Sequence, residues 1–278
     1  EEDLEFIASS LKGVNEILEK MTEIIGKTLK FAGPLFVPTL WSLCPFYSSM
    51  RTSNLESENT IAACFFSDLV EYGGELTKPM FTPWLPFIVE MIDHPADVRQ
   101  AAVYGLGVTA ELHPDVFLVF KNEVLQGLHR VITMEDSREE ENIFVTENAI
   151  CALGKIIQHH GESLDIGYEI PKWISYLPTD SKDEETDIIY KQFCHFAKLH
   201  PAHVFGENFE LLGHMLTLIA EAFQSPQVKD ETKQILTQTL QDIRTNSPPA
   251  AIESAVQFTE RHNGNETIKQ MIISTISA

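Results

Sequence analysis

The chain repeats itself at intervals of about 40–47 residues, and this repetition limits the folds that it can adopt. A shift of about 47 residues places Gly107 on Gly154 and Ala102 on Ala149, and a shift of about 39 residues places Ala63 on Ala102. The run AELHPDVF also recurs in this register, as AKLHPAHVF. Four copies in one register indicate a repeat architecture, in which each unit buries its apolar face only against its neighbours.

Each repeat contains two apolar helical segments, because apolar residues recur at helical spacing and no convincing run alternates with a period of two. In one copy, for example, FTPWLPFIVEMID precedes DVRQAAVYGLGV. A period of about 40–47 residues with two helices is typical of HEAT or armadillo repeats. We therefore predict an all-α fold, a right-handed α–α superhelix of the HEAT-repeat solenoid type.

The whole chain is predicted to be a single HEAT-repeat solenoid of about six helical hairpins. We call the second helix of each hairpin the B helix and the stretch before it the A segment. The first segment, up to Phe31, is interpreted as the B helix of an interrupted repeat. The predicted units and terminal helices span residues 1–33, 34–74, 80–113, 115–161, 168–201, 207–244 and 248–277.

Two glycines, Gly105 and Gly107, lie in the middle of one predicted B helix, where each costs about 0.5–1 kcal/mol relative to alanine. A phosphate-binding loop would place such glycines between a strand and a helix, and no strand pattern precedes them. We predict instead that the glycines allow neighbouring B helices to pack closely. Asp97 is the predicted N-cap of the same helix.

The charge balance favours basic protein partners. Forty-one acidic residues against 20 basic ones give a formal net charge of −21 at pH 7. Such a field repels a phosphate backbone, so no nucleic-acid partner is expected, and it attracts basic proteins and peptides. No apolar run reaches the roughly 18 residues that a membrane span requires, so no membrane partner is expected either.

No constellation of reactive side chains stands out. His159 and His160 are adjacent on a predicted helix and point about 100° apart, which does not suit a shared metal ion, and a surface helix terminus is the preferred interpretation. Cys64 or Cys194 could be a nucleophile with His195 nearby in sequence, but adjacent helical residues face apart. The four cysteines are interpreted as buried, reduced thiols. We expect no enzyme, no catalytic residues, no metal and no cofactor.

Several stretches resemble the importin-beta (karyopherin-beta) family of nuclear transport receptors. The resemblance is carried by DVRQAAVYGLGV and VTENAICALGKI, and by CFFSDLVEY, PKWISYLP and HPAHVFG. The nearest branch is the one called importin five, or karyopherin beta three. The similarity spans roughly Ser57 to Ile243 in consistent order, whereas the flanking regions match only by helical pattern.

This resemblance implies a nuclear import receptor that carries cargo with basic signals through the nuclear pore by reversible binding and shuttles between cytoplasm and nucleus. It implies that this chain is the carboxy-terminal part of a longer superhelix whose curvature changes with cargo and Ran-GTP. The main site for the GTPase Ran would lie in amino-terminal repeats that are absent here. The alternative is a HEAT-repeat scaffold or regulatory subunit of another protein complex.

Four carboxylates are candidates for binding cargo. Glu71, Glu111 and Glu147 fall on or near predicted B helices, and B helices line the concave face of HEAT superhelices. Together with Asp68, they are predicted to form an acidic inner surface for lysine-rich cargo. The acidic A–B turns MEDSREEE and TDSKDEET could also contact basic partners, although solvated loops are the simpler interpretation.

Two aromatic residues are candidates for binding nucleoporins. The family binds phenylalanine–glycine repeats of nucleoporins in shallow apolar grooves between neighbouring A helices. Trp84 and Phe87 lie on a predicted A segment and would border one such groove. The competing interpretation places these aromatic side chains in the core.

Overall fold

The computed structural model describes residues 2–179, 184–262 and 264–277, and every regular element in these ranges is helical. The chain forms two compact units, Glu1–Ala152 and Leu153–Ala278, and the division falls inside one helix. The helical elements confirm the all-α prediction. In the described ranges, no helix combines the length and the apolar character that crossing a bilayer requires.

The first unit consists of long B helices separated by shorter segments. Its α-helices are, in chain order, α1 (Glu2–Ala32), α2 (Val37–Leu40), α3 (Cys44–Met50), α4 (Glu56–Tyr72), α5 (Lys78–Phe81), α6 (Leu85–Glu90), α7 (Ala96–Leu112), α8 (Pro114–Phe117), α9 (Lys121–Ile132) and α10 (Ile143–His160), the last of which continues into the second unit. Short 3₁₀ turns cover Gly33–Leu35, Gly74–Thr77, Thr82–Trp84 and Met91–Asp93. The B helices α1, α4 and α7 pack side by side, with α4 in the middle.

The A segments of the first unit are broken where the sequence predicts continuous helices. Pro79, Pro83 and Pro86 each stand in the first turn of a new short helix. Proline is tolerated there because the first turn leaves its N–H groups unpaired, whereas inside a helix it removes a hydrogen bond and clashes with the preceding turn. The predicted helix FTPWLPFIVEMID is therefore a chain of short helical turns.

The contact between α4 and α7 confirms the predicted role of Gly105. A Cβ atom at Gly105 would lie 2.6 Å from Ser67 Oγ and 3.0 Å from Phe66 Cε1. Ser67 Oγ also donates a hydrogen bond to the carbonyl oxygen of Ala101, at 3.3 Å. Gly107 is buried in the same helix. The helices thus approach so closely at Gly105 that a side chain would force them apart.

Asp97 is not the N-cap of α7, as the sequence had suggested. The helix begins at Ala96 with Pro95 at the cap position, and Asp97 lies inside the first turn. A carboxylate in the first turn still interacts favourably with the positive end of the helix dipole. The N-cap prediction is wrong by two positions because proline followed by alanine already starts the helix.

The second unit continues the pattern of paired helices. Its elements after α10 are a 3₁₀ turn at Gly161–Ser163 and the helices α11 (Ile166–Ile174), α12 (Glu185–Leu199), α13 (Pro201–Phe205), α14 (Leu212–Gln224), α15 (Asp230–Asn246), α16 (Pro249–Arg261) and α17 (Glu266–Ser277). The B helices α12, α15 and α17 form one row, and the A helices α14 and α16 pack together. Residues 180–183 of the predicted TDSKDEET turn lie outside the described residues.

Two contacts hold the B helices of the second unit in place. A Cβ atom at Gly154 would overlap the side chain of Gln192 on α12, so Gly154 serves the packing role predicted from its match with Gly107. The buried carboxylate of Asp187 on α12 accepts hydrogen bonds from the Thr232 hydroxyl at 2.6 Å and from the Lys229 N–H at 2.8 Å. Asp187 thereby fixes the start of α15 against α12.

Candidate functional site

The polar face of the B helices in the first unit is the strongest candidate for a binding surface. On α4, the exposed or half-buried positions include Cys64, Asp68 and Glu71, at spacings of four and three residues. On α7, Tyr104 is half-buried and Glu111 is exposed. Because α4 and α7 pack side by side, this stripe carries carboxylates on adjacent helices.

Glu71 and Tyr104 join the two helices across this surface. The Tyr104 hydroxyl donates a hydrogen bond to Glu71 Oε2 at 2.7 Å. The bond fixes the direction of the Glu71 carboxylate, and its second oxygen atom can accept hydrogen bonds from a ligand. Glu71 is thus a positioned acceptor rather than a freely rotating surface charge.

Asp68 lies in a groove between α1 and α4, which we call the α1–α4 groove. The groove has a volume of about 450 Å³, and the residues that matter here are Glu19, Gly26, Lys30, Ile61, Cys64, Asp68 and Tyr72. Burial and the nearby Glu71 carboxylate raise the pKa of Asp68 to about 7, and Lys30 partly opposes this shift. The groove therefore holds a carboxylate that is poorly compensated at neutral pH.

The structure does not bring all the predicted cargo residues to the surface. Asp68 and Glu71 lie close together on α4, and Glu111 is exposed at the end of α7. Glu147, in contrast, is 0% exposed within α10. A carboxylate buried to this extent cannot touch a cargo protein in this conformation, so Glu147 does not belong to the acidic surface.

The two candidate nucleoporin contacts also differ. Trp84 is only 4% exposed, and its ring packs near Phe65 with a centroid separation of 5.9 Å. It is a core residue, as the competing interpretation held, because its ring packs against α4. Phe87 on α6 is half-buried and leaves part of its ring accessible.

The cysteines that the sequence offers as candidate nucleophiles do not lie together in one site. Cys64 is exposed rather than buried, and Cys44 is half-buried, so the prediction of four buried thiols is wrong for these two residues. Although the residue as a whole is exposed, its thiol lies in the wall of the α1–α4 groove, and this desolvation together with the nearby Asp68 carboxylate raises the pKa of Cys64 to about 11, which disfavours the thiolate. Burial likewise raises the pKa of Cys194 to about 11.

The sequence predicts that His159 and His160 lie at a surface helix end. His159 is exposed, but His160 is buried, so the prediction is wrong for His160. The helix that ends at His160 continues directly into the 3₁₀ turn Gly161–Ser163. Among the described residues, no group of three or more metal-ligating side chains has the geometry to hold an ion.

Helix α1 contributes to the site, which was not predicted from the sequence. Glu19 and Lys30 line the α1–α4 groove together with residues of α4. The available signal was Gly26, a glycine in the middle of a long amphipathic helix, at which a Cβ atom would overlap the Asp68 side chain. Like Gly105, this glycine marks a close approach of a neighbouring element.

Comparisons with known proteins identify relatives of the chain. No protein-family model matches it. Importin subunit beta-3 of Saccharomyces cerevisiae is 27% identical over 178 residues, which cover 63% of this chain and 16% of that protein. A probable importin-5 homolog of Dictyostelium discoideum is 30% identical over 196 residues, which cover 65% of this chain and 17% of that protein. The matches thus span about one sixth of the length of these curated relatives.

Solved structures of the karyopherin Kap121p share the fold. The complex with the SUMO protease Ulp1p has a TM-score of 0.75 at 21% identity, covering 94% of this chain and 23% of Kap121p. The complex with RanGTP also has a TM-score of 0.75, at 19% identity, covering 98% of this chain and 24% of Kap121p. The complex with Nup53p has a TM-score of 0.72 at 20% identity over 94% of this chain and 23% of Kap121p. The likeness confirms the HEAT-repeat fold class.

Proposed function

The chain belongs to the importin-beta family, as the resemblance to the importin-five branch indicated, and from this premise we propose that it works as part of a nuclear import receptor. The receptor carries protein cargo with basic signals through the nuclear pore by reversible, non-enzymatic binding. It shuttles between cytoplasm and nucleus, and Ran-GTP releases its cargo. Within it, this chain is the carboxy-terminal part.

The acidic face of α4 and α7 is the observation that carries this proposal. Asp68 and Glu71 lie within one turn of α4, Tyr104 positions Glu71, and Glu111 extends the same surface along α7. A protein with a net charge of −21 also attracts cationic segments over a distance of about 8–10 Å at physiological salt. A lysine-rich segment of a cargo protein matches both features.

Partners other than cargo follow from the relatives. Kap121p has been solved in complex with RanGTP and with Nup53p, which supports contacts of this receptor with Ran and with nucleoporins. Phe87, half-buried on α6, is the proposed contact for phenylalanine–glycine repeats in this chain, whereas Trp84 is a core residue.

Reversing the charge of the acidic face should weaken the binding of basic peptides. In the full-length protein that contains this chain, we expect the double substitution Glu71→Lys and Glu111→Lys to raise the Kd of a lysine-rich peptide by about tenfold or more, because each lost attraction becomes a repulsion. The slope of log Kd against log salt concentration should flatten as well. Fluorescence anisotropy at several salt concentrations measures both quantities.

Glu123→Lys is the matched control for this experiment. Glu123 is exposed on α9, which belongs to an A segment, so Glu123→Lys changes the net charge by the same amount as the single substitution Glu71→Lys without touching the acidic face. We expect less than about a twofold change in Kd for each such exposed charge. If Glu123→Lys and the single substitution Glu71→Lys changed the Kd equally, binding would depend only on the net charge of the protein, and the proposal would be contradicted.

A further inference from the structure

We propose that the α1–α4 groove is a pocket for one lysine side chain of a protein partner, and that Asp68 binds the ammonium group of this lysine. The proposal rests on the proposed function in one respect, namely that the partner is a basic protein. It adds a defined position, a preferred side chain and a coupling between binding and proton release.

The geometry of the groove is set by Gly26. A Cβ atom there would lie 2.7 Å from Asp68 Cγ, so the absence of a side chain on α1 gives the carboxylate its place between the two helices. Ile61 and Cys64 line the groove from α4, about two turns and one turn before Asp68 on the same helix. An aliphatic stem of four methylene groups can lie along such an apolar wall while its charged end reaches the carboxylate.

The Asp68 carboxylate has no hydrogen-bond donor within the described part of the chain. The closest cation of the groove is Lys30, and its Nζ lies 5.4 Å from the centroid of the Tyr72 ring, over the ring face. Burial without a donor is costly for a carboxylate, and it raises the pKa of Asp68 to about 7. An ammonium group in the groove supplies the missing donor and the missing charge.

The same contacts favour lysine over arginine. A guanidinium group gains much of its binding energy from stacking on an aromatic ring and from planar, bidentate hydrogen bonds. Lys30 already occupies one face of the Tyr72 ring. A compact ammonium group needs only the single carboxylate at the end of the groove.

The other ionisable groups around Asp68 leave a negative field in the groove. They come from α1, from α3 and from α4 itself: Glu19, Glu23, Lys27, Lys30, Tyr47, Cys64, Glu71 and Tyr72. Glu23 is neutralised by Lys20 and Lys27, at 2.9 Å and 2.5 Å. Among the described side chains, no lysine forms a salt bridge with Glu19 or Glu71. Both carboxylates therefore attract an incoming cation.

Binding of the ammonium group is therefore coupled to release of a proton from Asp68. Below a pH of about 7 the carboxyl group is mostly protonated and offers no charge to the ligand. The bound cation lowers the pKa of Asp68, so the proton leaves on binding. Affinity should rise by about tenfold between about pH 6 and about pH 8.

The test is a double-mutant cycle between the receptor and a short lysine-rich peptide, with the full-length protein that contains this chain. Each peptide lysine is replaced in turn by norleucine, which keeps the aliphatic stem, or by arginine. With the native receptor, one lysine should show about a tenfold loss with norleucine and a smaller loss with arginine. With Asp68→Asn, both losses at that position should disappear.

Two further measurements check the mechanism. Calorimetric titration near pH 7, in two buffers with different ionisation enthalpies, should show proton release with the native receptor and none with Asp68→Asn. Gly26→Ala, which displaces the Asp68 side chain without changing any charge, should weaken binding of the same lysine. Losses with norleucine that are the same in the native receptor and in Asp68→Asn would overturn the pocket, as would equal affinity for the lysine and arginine peptides.

The folding of Asp68→Asn is followed by its melting temperature. A carboxyl group with a raised pKa stabilises the fold below its ordinary pKa of 3.8, and this contribution is lost as the pH rises through about 7. Asparagine does not ionise, so the variant should melt above the native protein at about pH 8 and close to it at about pH 4. If the variant melted below the native protein at both pH values, the claim that Asp68 lacks a compensating partner would be contradicted.

Failure of this pocket and failure of the proposed function give different results. If Glu71→Lys and Glu111→Lys weaken peptide binding while Asp68→Asn shows no coupling to any lysine, the acidic face stands and the pocket is wrong. If neither set of substitutions changes binding, both proposals are wrong.

Discussion

Replacing Gly105 with leucine is expected to lower the free energy of unfolding by about 3 kcal/mol, because the new side chain would enter the contact between α4 and α7. Its Cβ atom alone would lie 2.6 Å from Ser67 Oγ and 3.0 Å from Phe66 Cε1. Phe66 is fully buried and cannot swing into solvent. Relief therefore requires the two helices to separate, which also weakens the hydrogen bond from Ser67 to Ala101. Urea denaturation at neutral pH measures the change.

Gly13→Leu is the matched control for this substitution. Gly13 lies inside α1, and a Cβ atom there meets nothing within 4 Å. The same replacement should stabilise the chain by about 0.5–1 kcal/mol, since leucine is the better helix former. If Gly105→Leu were neutral, or if both variants changed stability in the same direction, close packing of the B helices would not be the reason for Gly105.

The second large effect is expected at Asp187 in the second unit. Asp187→Ala should lower the free energy of unfolding by about 3 kcal/mol, because the Thr232 hydroxyl and the Lys229 N–H lose their acceptor in a buried site. Burial by itself would raise the pKa of Asp187, but hydrogen bonds from Thr232, Lys229 and Lys191 outweigh it and hold the pKa below its usual value.

The pH dependence of Asp187→Ala follows from that lowered pKa. The stabilisation is present above the ordinary pKa of 3.8 and is lost as the pH falls through the folded-state pKa. The difference between native protein and variant should therefore be largest near neutral pH and shrink below about pH 4. Denaturation curves at several pH values measure it.

The control for Asp187 is its exposed neighbour Glu231, which pairs with the same lysine. Lys191 Nζ lies 3.3 Å from Glu231 Oε2, and the Glu231 side chain is 76% exposed. Glu231→Ala should change stability by less than about 0.5 kcal/mol, as surface ion pairs usually do. A loss as large as that of Asp187→Ala would show that surface charge, rather than the buried hydrogen bonds, holds α12 and α15 together.

The positions of the B helices could be predicted from the sequence because each copy reuses the same small-residue contact. Gly105 faces Ser67 and Phe66 in one copy, and Gly154, which the repeat register places on Gly107, faces Gln192 in the next. Such contacts depend on local spacing along one helix and on one neighbour. The repeat therefore carries most of the information about the fold.

The A segments and the candidate site were harder to predict, for physical reasons. Prolines such as Pro83 still match an apolar helical pattern, although they break the helix into short turns. The burial of Glu147 and Trp84 depends on packing from other elements, which helical spacing does not reveal. The same holds for Asp68, whose environment is set by Gly26 on α1, the preceding B helix.

The most direct test of transport by this receptor is the release of its cargo. The full-length protein that contains this chain is immobilised and loaded with basic proteins from cell extract, and it is then washed with Ran bound to GTP or to GDP. Our account predicts that Ran-GTP releases basic proteins such as histones or ribosomal proteins and that Ran-GDP does not. A stable catalytic partner that stays bound under both conditions would contradict it and identify a scaffold instead.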